Sequence, residues 1–197
     1  ISRWKQVNDA RDRDGFKHLP VPPVSFNPRI RCVYICRDPA AAVRSIFSRG
    51  FHHIQFRKLN RGGRPAVPAV TRQETLADFA AAGRDRFRLQ EHFQNWYSRN
   101  LIHPTLFIRY ENLWDHLGPL LDFLELPAAA EADFPGRLIR PPERCLADPD
   151  TAVDVMEQLG RIYEPFRREL SQFPAVEIRG KHLAGKRSHL PFTRNFR

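Results

Sequence analysis

Arg31-Cys32-Val33-Tyr34-Ile35-Cys36 is a short run rich in β-forming residues, and it ends abruptly at Arg37-Asp38-Pro39. Asp38 has the side chain of a helix N-cap, and Pro39 suits the first helical position, where its missing N–H costs nothing. Val43, Ile46 and Phe47 then recur at helical spacing. The pattern predicts a buried strand that feeds directly into a helix, the building unit of α/β proteins. Thr105-Leu106-Phe107-Ile108-Arg109 predicts a second buried strand, followed by Tyr110-Glu111-Asn112-Leu113. Strands alternating with helices predict a parallel β-sheet flanked by helices.

The rest of the chain fits around that frame. From Thr75 a helical pattern runs through Leu76, Phe79, Phe87, Phe93 and Trp96, with a break near Gly83. Leu117, Leu120, Leu121 and Leu124 predict an amphipathic helix ended by Pro127. A long helix from Asp150 or Thr151 is expected to bury Val153, Met156, Leu159, Tyr163 and Phe166. Residues 1–15 read as a polar lead-in, 19–28 with four prolines as an extended connector, and 135–150 as irregular. At 197 residues, 42% of them hydrophobic, the chain can bury one core of ordinary size. No apolar run approaches the ~20 residues of a membrane span. Cys32, Cys36 and Cys145 form neither a disulfide framework nor a CxxC zinc pair. They read as free thiols in a reducing compartment, so a cytoplasmic location is expected.

Charge narrows the choice of partner. Lys and Arg number 32 against 22 Asp and Glu, a net charge of +10, which calls for an anionic ligand. Part of the surplus lies in residues 49–74, read as a basic flexible loop that can gate an acceptor site. There Arg49, Arg57, Lys58, Arg61, Arg64 and Arg72 accompany His52 and His53, with no acid before Glu74. The rest lies in a basic tail over 179–197, with six Lys/Arg, two His and no acid. Gly180, Gly185 and Lys186 nearly match a Walker A loop. Arg187 fills its Ser/Thr position, however, and the Pro-broken segment that follows cannot be the required helix, so a nucleoside triphosphatase is excluded. A nucleic-acid-binding module would also use this charge. Against it, the aromatics follow core periodicity and do not alternate with cations as stacking platforms do, so no nucleic-acid partner is expected.

Three positions can carry chemistry. Arg37 stands at the carboxyl end of the first strand, where open α/β sheets bind ligands, and a guanidinium grips phosphate bidentately. Ser45, eight residues on, can add a hydroxyl from the helix flank. The competing reading pairs Arg37 with Asp38 or another acid and leaves Ser45 facing solvent. His18, in Phe16-Lys17-His18-Leu19-Pro20, has a side chain suited to general base catalysis near neutrality; as a lone histidine in a polar stretch it can equally be inert.

The order KHLP, a Pro-rich connector, CVYICRDPAAAVRS, HFQNW and TLFIRYENL resembles the sulfotransferase family. These enzymes move a sulfuryl group from 3′-phosphoadenosine 5′-phosphosulfate (PAPS) to an alcohol, phenol or amine. The resemblance implies a P-loop NTPase-like sulfotransferase fold, with 1–197 forming the C-terminal two-thirds of a single domain. RDPAAAVRS is similar to the family's 3′-phosphate motif, which makes Arg37 and Ser45 cofactor-binding. KHLP is similar to the family's KTHLP segment and makes His18 the catalytic base, although Lys17 stands where that segment has Thr. TLFIRYENL makes Tyr110 a cofactor neighbour. GKRSH is similar to the loop that closes over the same phosphate and points to Lys186 and Arg187. The implied reaction requires no metal, and its acceptor is a small molecule or a glycan, with a large anionic acceptor favoured if 49–74 is functional.

One departure stands out. The family opens with a phosphosulfate loop of the Lys/Arg-Ser-Gly-Thr/Ser type, and no segment here resembles it. Three expectations follow: that roughly the first third of the domain lies outside this chain, that the domain is a catalytically inactive nucleotide binder, or that a partner supplies the loop. The lack of an initiator Met favours the first.

Overall fold

The structure, a computed structural model, describes residues 19–23, 30–60, 67–132, 134 and 149–180. Strand β1 (Cys32–Cys36) leads into helix α1 (Pro39–Ser48), followed by α2 (His52–Leu59), α3 (Leu76–Ala81) and α4 (Leu89–Tyr97). Strand β2 (Thr105–Arg109), helix α5 (Leu117–Phe123), the long helix α6 (Pro149–Ser171) and strand β3 (Val176–Arg179) complete the order. The architecture is α/β, as the sequence predicts.

The sheet runs β1-β2-β3. β1 and β2 pair in parallel, with Val33 opposite Leu106 and Cys36 opposite Arg109. β3 then pairs antiparallel with β2, Ile108 opposite Val176, so the sheet is mixed, with a strand the sequence reading does not include. Val176-Glu177-Ile178-Arg179 alternates apolar and charged residues over four positions, the shortest run that signals a strand, and it merges with the basic segment that follows. β2 lies between two partners and is buried from Thr105 to Ile108. β1 is less buried than its composition implies: Ile35 is 51% exposed, because among the described strands β1 has a neighbour on one side only.

Alternation divides the apolar side chains between two faces. Tyr34, Cys36 and Phe107 join a large core with α1, α2, α3, α4 and α6, while Leu106, Ile108 and Val33 pack under Leu117, Leu120 and Phe123 of α5. Phe107 sits within 5.4 Å of both the Tyr34 and Tyr97 ring centroids. On α6 the buried stripe is Val155, Leu159, Tyr163, Phe166 and Leu170. Val153, expected inside, is 67% exposed, because two residues from Val155 is about 200° around a helix. Gly83, with φ of 64°, sits in the break between α3 and α4.

The 49–74 segment is less loop-like than its composition implies. His52, Phe56 and Leu59 recur at helical spacing, and their burial folds α2 onto α1. The His52 ring stacks on Phe47 at 4.5 Å, and its Nε2–H donates to the Arg72 carbonyl at 3.0 Å. Arg86, almost wholly buried, then fastens residues 68–74 from within. It donates to both Glu74 carboxylate oxygens and to the carbonyls of Pro68 and Ala69.

Removing one partner of a buried ion pair strands the other charge. Arg86→Met is therefore expected to lower unfolding stability by about 3 kcal/mol in urea titrations, and the Arg86→Met/Glu74→Leu pair to recover most of that loss.

Candidate functional site

The site begins with strand register. Cys36 opposes Arg109 in parallel strands, so their successors, Arg37 and Tyr110, emerge side by side at the carboxyl end of the sheet. The Arg37 guanidinium carbon lies 4.8 Å from the Tyr110 ring centroid, a cation–π contact. Tyr110 is 38% exposed and meets Trp114 edge-on at 5.2 Å. Arg37 Nε is shielded from solvent and finds no acceptor among the described residues.

The acid beside Arg37 is already engaged. Asp38 caps α1 by accepting the Ala41 amide at 2.8 Å, and Pro39 opens the helix as the sequence predicts. Its carboxylate also accepts Arg167 Nε at 2.6 Å and a terminal guanidinium nitrogen of Arg167 at 3.2 Å. Its own amide donates to Glu111 at 3.4 Å. Burial pushes the Asp38 carboxyl upward. The Arg167 hydrogen bond, the Ala41 amide and the charges of Arg167 and Arg37 outweigh this and hold it below the usual range. Arg37 forms no ion pair among the described residues, so the reading that Asp38 ties it up finds no contact to support it.

Neighbouring groups are structural. The Cys36 thiol is directed at the Ile108 carbonyl, and burial pushes its pKa up to about 12, against a smaller lowering by Arg109. At neutral pH it is a thiol, with no nucleophilic character. Cys32 and Cys36 are both free, while Cys145 lies outside the described residues. Arg109 donates to the carbonyls of Leu170, Ser171 and Phe173, tying the end of α6 to β2.

The other sequence candidates divide. Ser45 stands on α1 opposite the buried Val43, about 9 Å along the axis from Pro39. It is half-buried, and its hydroxyl makes no hydrogen bond among the described residues. His18, Lys186 and Arg187 lie outside the described residues. Leu19, next to His18, is fastened by its carbonyl, which accepts Trp96 Nε1 at 2.8 Å. Sequence reasoning missed Glu111 and Arg167. Glu111 stands inside the TLFIRYENL motif, whereas Arg167 is 129 residues from its partner and carries no local signal. A depression of about 370 Å³ lined by Arg99, Asn100, Leu101, Ile102, Arg179 and Gly180 opens at the opposite end of β2 and is not part of this constellation.

Residues 3–134, which include Arg37, Ser45 and Tyr110, match the family described as Sulfotransferase domain. The chain belongs to the sulfotransferase family. No curated relative and no solved structure matches it. Membership places this sulfotransferase among transferases, with sulfuryl transfer as the family's chemistry. The matched span ends before α6 and β3, so Arg167 lies beyond it. No helix among the described residues of the sulfotransferase is long and apolar enough to cross a membrane.

Two outcomes follow from these shifts. A lowered carboxyl pKa contributes stability that is fully present above the unfolded value and lost as pH falls through the folded one. The stability advantage of wild type over Asp38→Asn, from thermal unfolding, should be constant at neutral pH and shrink below about pH 4. Cys36 should resist iodoacetamide in the native protein at pH 8 and react once urea unfolds it, as peptide mapping would show.

Proposed function

We propose that this sulfotransferase domain binds PAPS, and its product 3′-phosphoadenosine 5′-phosphate (PAP), with the ribose 3′-phosphate at Arg37. The observation that carries the reading is the desolvated Nε–H of Arg37, without an acceptor among the described residues, in a guanidinium held over Tyr110 at the carboxyl end of a parallel strand. Such a donor fits a phosphate oxygen, because a guanidinium offers paired N–H groups in fixed geometry. Tyr110 supports the guanidinium from one side, and the Ser45 hydroxyl is available farther along α1. Lys186 and Arg187 of the 179–197 segment add cationic contacts to the same phosphate.

When bound, PAPS supplies an activated sulfuryl group. Within the chain, His18 accepts the proton of the acceptor hydroxyl or amine on its imidazole, which raises the acceptor's nucleophilicity. The acceptor is a small molecule or a glycan, and the basic 49–74 segment favours an anionic one. Residues 1–197 act as one domain in this reading. A second reading, nucleotide binding without turnover, is favoured by a single fact: no Lys/Arg-Ser-Gly-Thr/Ser sequence occurs among the 197 residues.

The test is calorimetric titration with PAP. Wild type is expected to bind, and Arg37→Ala to weaken binding roughly thirty-fold, the equivalent of about 2 kcal/mol for a charge-assisted hydrogen bond. Equal affinities would overturn the assignment. Indifference to PAP together with steeply salt-dependent DNA binding would favour the nucleic-acid alternative. Transfer of labelled sulfuryl groups from PAPS to an acceptor panel separates the enzyme from the silent binder.

A further inference from the structure

Arg37 and Asp38 are neighbours, and a free carboxylate next to a phosphate-binding guanidinium does two kinds of harm. It competes as an acceptor for the guanidinium, and it repels the incoming anion. Here both carboxylate oxygens of Asp38 face Arg167, at 2.6 and 3.2 Å, while one of them also caps α1. Arg167 reaches this turn because β3 runs antiparallel to β2. The chain must return to the carboxyl end of β2 before β3 begins, and the last turns of α6 therefore arrive beside β1 and α1. Arg109 holds that arrival in place through the carbonyls of Leu170, Ser171 and Phe173.

We infer that Arg167 is a positioning residue for the anion site: by binding Asp38 through two nitrogens it withdraws the carboxylate from Arg37 and leaves that guanidinium free for a phosphate. The inference rests on the PAP reading above and adds a residue outside the family's matched span. Arg167 acts through Asp38 and not on the ligand. Lysine keeps the charge but lacks the planar fork, so it can replace arginine only in part.

The experiment is a double-mutant cycle on the whole chain, with PAP as the probe and thermal unfolding run in parallel. Arg167→Gln should raise the PAP dissociation constant about tenfold, the scale on which outer partners act through a ligand-holding group. Arg167→Lys should recover part of the loss. In an Asp38→Asn background, where the cap persists but the competing charge is gone, Arg167→Gln should have no further effect. An unchanged dissociation constant with a lowered melting temperature would overturn the inference, since Arg167 would then be a structural tie only. So would an undiminished loss in the Asp38→Asn background, which would put Arg167 on the ligand itself. If wild type ignores PAP, or Arg37→Ala binds it equally well, the nucleotide reading fails independently. The Arg37 Nε–H proton resonance then decides the inference: a shift in Arg167→Gln, as Asp38 turns to Arg37, supports it, and an unmoved resonance sinks it.

Discussion

One carboxylate joins the two halves of the described structure. Asp38 terminates the β1–α1 turn by accepting an amide of its own helix, and the same group receives the guanidinium of Arg167 from α6. The first contact is local and would form in almost any context, because N-caps satisfy amides that the helix leaves unpaired. The second spans most of the chain and exists only once the sheet has assembled. Local helix initiation and distant closure thus meet at the residue next to Arg37. Among the described residues Arg37 Nε has no acceptor, and its guanidinium rests on the Tyr110 ring.

Register does the rest of the positioning. A parallel pair brings the ends of β1 and β2 to the same edge, so that Arg37 and Tyr110 touch across adjacent strands. A shift of one residue would send each side chain to the opposite face of the sheet. The register is held by apolar burial on both faces, with Phe107 among aromatic rings on one and Leu106 and Ile108 under α5 on the other. The backbone that carries Arg37 and Tyr110 is therefore continuous with strands packed into the core. The basic 49–74 segment is likewise anchored where it is described, by the buried face of α2 and by Arg86.

Family membership and the geometry address different questions. The match over residues 3–134 establishes the chemistry to which the chain is related. It says nothing of how a positive charge survives next to an aspartate. The structure adds an ion pair to Asp38 from Arg167, beyond the matched span. Tyr34 and His92, hydrogen-bonded at 2.8 Å within the aromatic core, and Cys36, a neutral buried thiol, are chemically suggestive residue types that serve packing here.

Much of this was legible in the order of residues. The β1–α1 unit, its Asp38 cap, β2, the break at Gly83 and the long α6 are local patterns in which propensity and periodicity agree. So was the candidacy of Arg37, which directly follows a strand, whereas that of Tyr110 came from the resemblance of TLFIRYENL to the family's motif. Less legible were features that depend on what packs against what. The burial of Val155 in place of Val153 depends on which face of α6 meets α3 and α1, and α2 inside a cationic stretch depends on its three apolar residues finding the core. Strand β3 carries only the shortest alternating signal, and its antiparallel pairing with β2 is a matter of the tertiary structure. The Asp38–Arg167 bridge lies wholly with the tertiary structure. Sequence can declare that a residue is charged and where its helix begins, but the partner of a charge is chosen by distance in space, and that distance is set only when the sheet brings α6 home.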